Sequence, residues 1–250
     1  MRKLLAIFAV GLAVATPLTA MAADPVTYGE PVYKDYVPYV PEVDEGLKGN
    51  FYLRGSLGGN LSWAHKVNHP SQDPSEFSVD RMGLGYSAGL GLGYETGHGP
   101  RFDVTVDYLH NEGMSTEITG SGPVNTGRHQ LHLRSTIALA NAYYDFGLGD
   151  GGLSAAGGAF GYVGAGAGIA INRMANVEPG ADTATNWGGN TSFAAAGMVG
   201  AGYDFGSMVA DLGYRALYIN KLENDEAPNP YTIDHALIHE IRGTLRYRFN

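Results

Sequence analysis

The 250-residue chain contains no cysteine, which removes thiol catalysis, disulfide scaffolding and cysteine-ligated zinc or iron–sulfur centres. Charge is scarce too: 16% of residues are charged, against about 25% in ordinary soluble domains. Basic charge is the scarcer sign, with 16 Lys and Arg against 25 Asp and Glu, net -9. That balance argues against a nucleic-acid binder, which needs a basic face to displace counterions from phosphates. Long apolar runs are also missing. Leu4 to Val14 falls short of the roughly 20 residues needed to cross a bilayer as a helix, and nothing longer follows. Glycine, in contrast, is abundant at 37 residues, roughly twice the usual share of about 7%. Glycine loses the most backbone entropy on ordering, so a mostly helical bundle does not fit. The lack of a strict Gly-X-Y period excludes collagen.

What is present at the start is an export signal. Arg2 and Lys3 form a positive head, Leu4 to Val14 an apolar run, and Ala20-Met21-Ala22 the small-x-small pattern cut by a signal peptidase. The sequence predicts a cleaved signal peptide over residues 1–22. Residues 23–48 follow with Pro25, Pro31, Pro38 and Pro41, several tyrosines and an acidic excess. This composition favours extended chain over a packed element, and predicts a flexible periplasmic tail.

From Gly49 the pattern alternates with period two, the mark of strands with unlike faces. Phe51, Leu53, Leu57, Leu61 and Trp63 share one parity, while Tyr52, Arg54, Ser56 and Asn60 share the other. The second segment, about 82–95, sets Leu84, Tyr86, Leu90 and Leu92 against glycines, and the third sets Phe102, Val104, Val106 and Tyr108 against Asp103, Thr105 and Asp107. Further segments run over about 128–146, 159–171, 191–205 and 210–218, and an eighth ends at Phe249. The fourth is irregular, because Leu131, Leu133, Ile137 and Leu139 share a face with Asn141 and Asp145. A β-bulge near 138–142 would restore its parity.

Three features favour an inside-out barrel with lipid outside and polar groups inside. Long connections at about 64–81, 111–127, 172–190 and 220–234 alternate with short ones. Aromatic residues gather at both strand ends, as two interfacial girdles require. One face also holds charges of both signs: Arg54, Arg134, Arg215, Arg242, Arg246 and Arg248 beside Asp103, Asp107, Asp204, Asp211 and Glu240. An eight-stranded barrel is only just wide enough for side chains to fill, so these charges must pair in a network. The reading is an all-β, eight-stranded antiparallel up-and-down transmembrane β-barrel over residues 49–250, in the cell outer membrane.

The chain resembles the small eight-stranded outer-membrane β-barrels of Gram-negative bacteria, the porin-family or opacity-like surface antigens of alphaproteobacteria. The resemblance rests on Gly161 to Gly168, Asn141 to Phe146, Ala201 to Phe205 and Asp211 to Arg215. The closing Leu245-Arg246-Tyr247-Arg248-Phe249 is similar to the C-terminal signal of such barrels, which implies that Tyr247 and Phe249 are read by the barrel assembly machinery. Asn250 departs from the pattern by following the terminal aromatic. The resemblance also implies a structural and surface-antigen role, with outer-membrane lipids and lipopolysaccharide as partners.

Chemistry is sparse. His65, His69, His110, His129, His132, His235 and His239 lie in or near the long connections, where clustered imidazoles bind haem iron, Zn²⁺ or Cu²⁺. No HExxH spacing occurs and no G-x-S-x-G elbow is present. The sequence therefore predicts no enzyme, no cofactor, no metal site and no nucleic-acid partner. Three rivals to a structural role remain: a narrow pore, a haem or metal receptor, and an adhesin for a host surface.

Overall fold

The structure, a computed structural model, describes residues 49–149, 157–225 and 230–249. Residues 1–22 and 23–48, and Asn250, lie outside the described residues. The described residues form ten strands: β1 (Asn50–Trp63), β2 (Lys66–Asn68), β3 (Glu76–Arg81), β4 (Gly83–Glu95), β5 (Pro100–Ile118), β6 (Gly127–Gly147), β7 (Gly158–Val177), β8 (Thr185–Asp204), β9 (Met208–Glu223) and β10 (Thr232–Phe249).

Eight of them close a ring. Each of β4 to β9 pairs antiparallel with the next, β1 pairs with β4, and β1 closes against β10 from Phe51 opposite Phe249 to Trp63 opposite Leu237. Closure leaves no unpaired strand edge in the wall. The chain is thus an eight-stranded, antiparallel, up-and-down β-barrel.

The alternation decides which way the wall faces. Leu57, Leu84, Leu90, Leu92, Val104, Val106, Ile169, Leu212, Ile241 and Leu245 are all exposed, whereas Arg54, Asp103, Asp107, Arg215, Glu240 and Arg242 are buried. Apolar surface outside and charge inside is the order of a transmembrane barrel and the reverse of a soluble one. Phe51, Phe102, Tyr203, Phe205, Tyr247 and Phe249 ring the short-turn end of this apolar band. Trp63, Tyr86, Tyr108 and Phe193 ring its other end.

The strands run further than their alternation predicts. The connections expected at 111–127, 172–190 and 220–234 are shorter than that, because β5, β6, β7, β8, β9 and β10 all extend into them beyond the apolar band. The first long connection is also ordered. β2 pairs with β3, β2 continues the wall against β10 (Asn68 opposite Thr232), and β3 continues it against β5 (Val79 opposite Thr116). So β2 and β3 take over from β1 and β4, and the wall goes on past the ends of those two strands. Period-two reading misses this because residues outside the band no longer alternate between lipid and lumen.

The bulge expected in β6 is absent. Residues 130–147 pair with β7 without a register shift, so Leu131, Leu133, Ile137 and Leu139 point into the lumen. The shift lies in the neighbouring β5, between Asn111 and Met114, where Gly113 takes φ +83°. Glycine adopts that backbone without the Cβ penalty other residues meet.

The lumen therefore has two storeys. Toward the short turns it is charged. Toward the other end it is apolar, filled by Leu109, Leu131, Leu133, Ile137, Met174, Leu217, Ile219, Leu222, Ile233 and Ile238. A small third cluster, Phe77, Ile118 and Val124, packs beside β3.

Candidate functional site

The charged storey is built from residues two apart on facing strands, which period two sends into the lumen together. Asp107 on β5 sits at its centre. Its Oδ2 accepts a hydrogen bond from Arg215 Nη1 at 2.6 Å and its Oδ1 from Arg242 Nη2 at 2.5 Å. Arg215 stands on β9, four places round the ring from β5, so this contact crosses the lumen. Arg215 also donates to Glu240, its register partner on β10. Gly89 on β4 leaves the space Asp107 needs: a Cβ there would lie 1.8 Å from Asp107 Oδ1.

A second layer lies nearer the short turns. Arg54 Nη1 donates to Asp103 Oδ2 at 2.8 Å and to the Tyr143 hydroxyl at 2.7 Å. Arg101 forms a bidentate pair with Asp145, at 2.9 and 3.0 Å, and its guanidinium lies 3.9 Å from the Tyr143 ring centre. The Tyr52 hydroxyl donates to Asp103 Oδ2 at 2.9 Å. At the mouth, Arg246 Nη1 donates to Glu95 Oε2 at 3.0 Å and Arg248 Nη1 to Asp204 Oδ1 at 2.7 Å. Arg246 also lies 3.7 Å from Asp145 and from Asp211, whose other oxygen accepts from the Tyr162 hydroxyl at 3.2 Å. Buried charges are tolerated only when paired and hydrogen-bonded, and each of these carries an opposite charge within ion-pair distance.

Ten of the eleven residues expected in this network, namely Arg54, Asp103, Asp107, Asp204, Asp211, Arg215, Glu240, Arg242, Arg246 and Arg248, face the lumen. Arg134 does not. With Leu133 and Ser135 pointing inward, Arg134 faces outward and lies 4.5 Å from the Trp187 ring centre. The reading failed there because the leucines of β6 hid which parity is the inner one. Arg101, Glu95 and Asp145 belong to the network and were not assigned to it. Arg101 shares the parity of Asp103, and Asp145 that of Asn141, so the signal was present.

The histidines separate into four places. His69 and His129 are buried inside the extended wall. His129 contacts Asn176 Oδ1 at 3.1 Å and the Asn125 carbonyl at 2.7 Å, and His69 packs against the Tyr231 ring at 5.2 Å. Burial, with the charge of His129 nearby, pushes His69 down to about 4. His110 and His132 lie on the outer face, both beside Glu112 Oε1, at 3.1 and 3.3 Å. His235 and His239, also outside, bond to and stack on Tyr218 and Tyr214. His65 lies 6.3 Å from the Trp63 ring. The seven therefore form no single cluster. Among the described residues, no group of three or more His, Asp or Glu side chains is placed to hold a metal ion.

The chain is similar to an uncharacterized protein of Brucella suis biovar 1, 27% identical over 286 residues and covering 94% of both chains. No family model matches. Among solved structures it is similar to Neisserial surface protein A, with 20% identity, TM-score 0.47 and coverage of 80% of this chain and 97% of that one. It is also similar to the outer membrane protein OprG of Pseudomonas aeruginosa, with 15% identity, TM-score 0.44 and coverage of 81% and 96%.

Proposed function

We propose that the chain is an outer-membrane β-barrel with a structural and surface-antigen role, exported by its signal peptide and assembled through the Tyr247–Phe249 signal. One observation carries this reading: the lumen is plugged from wall to wall. Arg215 reaches Asp107 across the ring, and Arg246 on β10 approaches Asp145 on the opposite β6 at 3.7 Å. Above them the apolar storey packs side chains with almost no exposure. A plugged lumen leaves the outward-projecting end of the wall as the part that meets the surroundings. The short turns then face the periplasm and β2 and β3 the outside, as in barrels of this kind. The reading proposed is non-enzymatic, with lipids and lipopolysaccharide around the barrel. The dispersed histidines and acidic connections give no specific support to a haem or metal receptor.

The test is heat-modifiability of the outer-membrane fraction. A barrel closed by this network should resist SDS at room temperature and run at a different mobility from the boiled chain. Recovery in the soluble periplasmic fraction, with no shift on boiling, would sink the reading.

A further inference from the structure

We propose that the outer face of β6 and β7 binds the phosphate of an anionic outer-leaflet lipid through Arg134 and Arg173, with an acyl chain seated in the small-residue trough beside them. The proposal rests on the membrane reading above.

Arg134 and Arg173 are register partners on adjacent strands, and both are exposed on the outer face. Like charges directly opposite across a sheet repel. Yet among the described residues neither has a carboxylate within ion-pair distance, whereas the arginines of the lumen are all paired. An anion shared between the two guanidiniums would remove that repulsion. Phosphate suits the planar fork of arginine, which binds it by two parallel hydrogen bonds.

Their height in the wall selects a lipid phosphate. On β7 the outward residues Val163, Ala165, Ala167, Ile169 and Ile171 are apolar, and Arg173 is the first charge above them. From Val163 to Arg173, at about 3.3 Å per residue and a tilt of about 40°, the wall rises roughly 25 Å, the height of a lipid-facing band. The arginines thus meet the headgroup layer. Trp187, stacked on Arg134, and Tyr108 share a hollow of about 540 Å³ with both arginines.

The third observation is the trough. Tyr108 and Thr136, which line the arginine hollow, also line an apolar groove of about 820 Å³ along β10, β1, β4 and β5. Its floor is Gly55, Ala88 and Gly243, and Leu57, Leu90 and Leu245 form its sides. Headgroup site and chain site are therefore continuous, as one lipid molecule requires.

The experiment titrates the folded full-length barrel in zwitterionic micelles with diphosphorylated lipid A, dephosphorylated lipid A, and inorganic phosphate. Lipid A should bind the wild type, and the Arg134→Gln, Arg173→Gln double variant should bind it at least about tenfold more weakly, the worth of one charge-assisted contact. Dephosphorylated lipid A should bind the wild type about as weakly. Gly243→Leu, which fills open space on the trough floor, should weaken lipid A as well. Arg128→Gln, whose arginine sits 3.8 Å from Glu117 elsewhere on the surface, should change nothing. Equal lipid A binding by the double variant overturns the proposal. So does inorganic phosphate competing at equal concentration, which marks a free-phosphate site. A double variant that turns an oligomer into monomers without altering lipid binding also overturns it, and marks a contact between copies. Failure of the membrane reading shows separately, as a wild-type chain without a heat shift, whereas a heat-modifiable barrel that ignores lipid A fails only here.

Discussion

Asp107 takes hydrogen bonds from two arginines that arrive from different strands, so its loss leaves two buried positive charges with Glu240 as their one shared carboxylate. Breaking a buried ion pair by removing one partner costs about 3–5 kcal/mol. Asp107→Ala is therefore expected to lower barrel stability by that order, read as a shift of the urea midpoint in micelles. Arg134→Gln should stay within about 0.5 kcal/mol, since it removes an exposed group with no carboxylate beside it. Equal effects of the two would mean that the lumen does not depend on its charge pairs. At this scale the sequence was legible through parity. Wherever one face was clearly apolar, as around Asp103, Asp107, Arg215 and Arg242, the inner residues could be read directly. On β6 both faces carry apolar residues, and Arg134 was assigned by its charge alone.

Among the elements, β2, β3 and the chain that links them depend on a buried imidazole. His69 is depressed to about 4 by burial from an unfolded value of about 6.5. A base whose folded pKa is lowered favours folding while it stays neutral. The stabilisation is complete above about pH 6.5 and is lost as pH falls through the interval down to about 4. Protection factors of the amides in residues 64–82, taken relative to the intrinsic exchange rate at each pH, should thus fall between pH 7 and pH 4.5, while the strands of the apolar band keep theirs. His69→Leu should abolish the difference, and unchanged protection in the wild type would show that His69 ionises freely. These elements were the least legible part of the chain. Beyond the lipid layer both lumen and surroundings differ from the band, the pattern loses its period, and residues 64–81 read as a long connection. The extensions of β5 to β10 escaped for the same reason.

Over the whole molecule, barrel closure, strand number and the inside-out polarity were all legible, because a lipid-facing wall imposes one rule on every strand. The division of the lumen was not, since inward leucines look like outward ones until the register is known. The two storeys block the lumen differently, one by ion pairs spanning the ring and one by packed aliphatic side chains. Purified barrel in planar bilayers is accordingly expected to give no discrete conductance steps, and steady unit steps would show that the lumen opens. The continuation of the wall by β2 and β3 bears on how the cell is seen from outside. What projects is a pleated collar whose neighbouring residues come from distant parts of the chain: Asn68 beside Thr232, Val79 beside Thr116. Antibodies raised against the folded protein should lose their target when it is boiled, and short synthetic peptides copied from its outer segments should make poor vaccines.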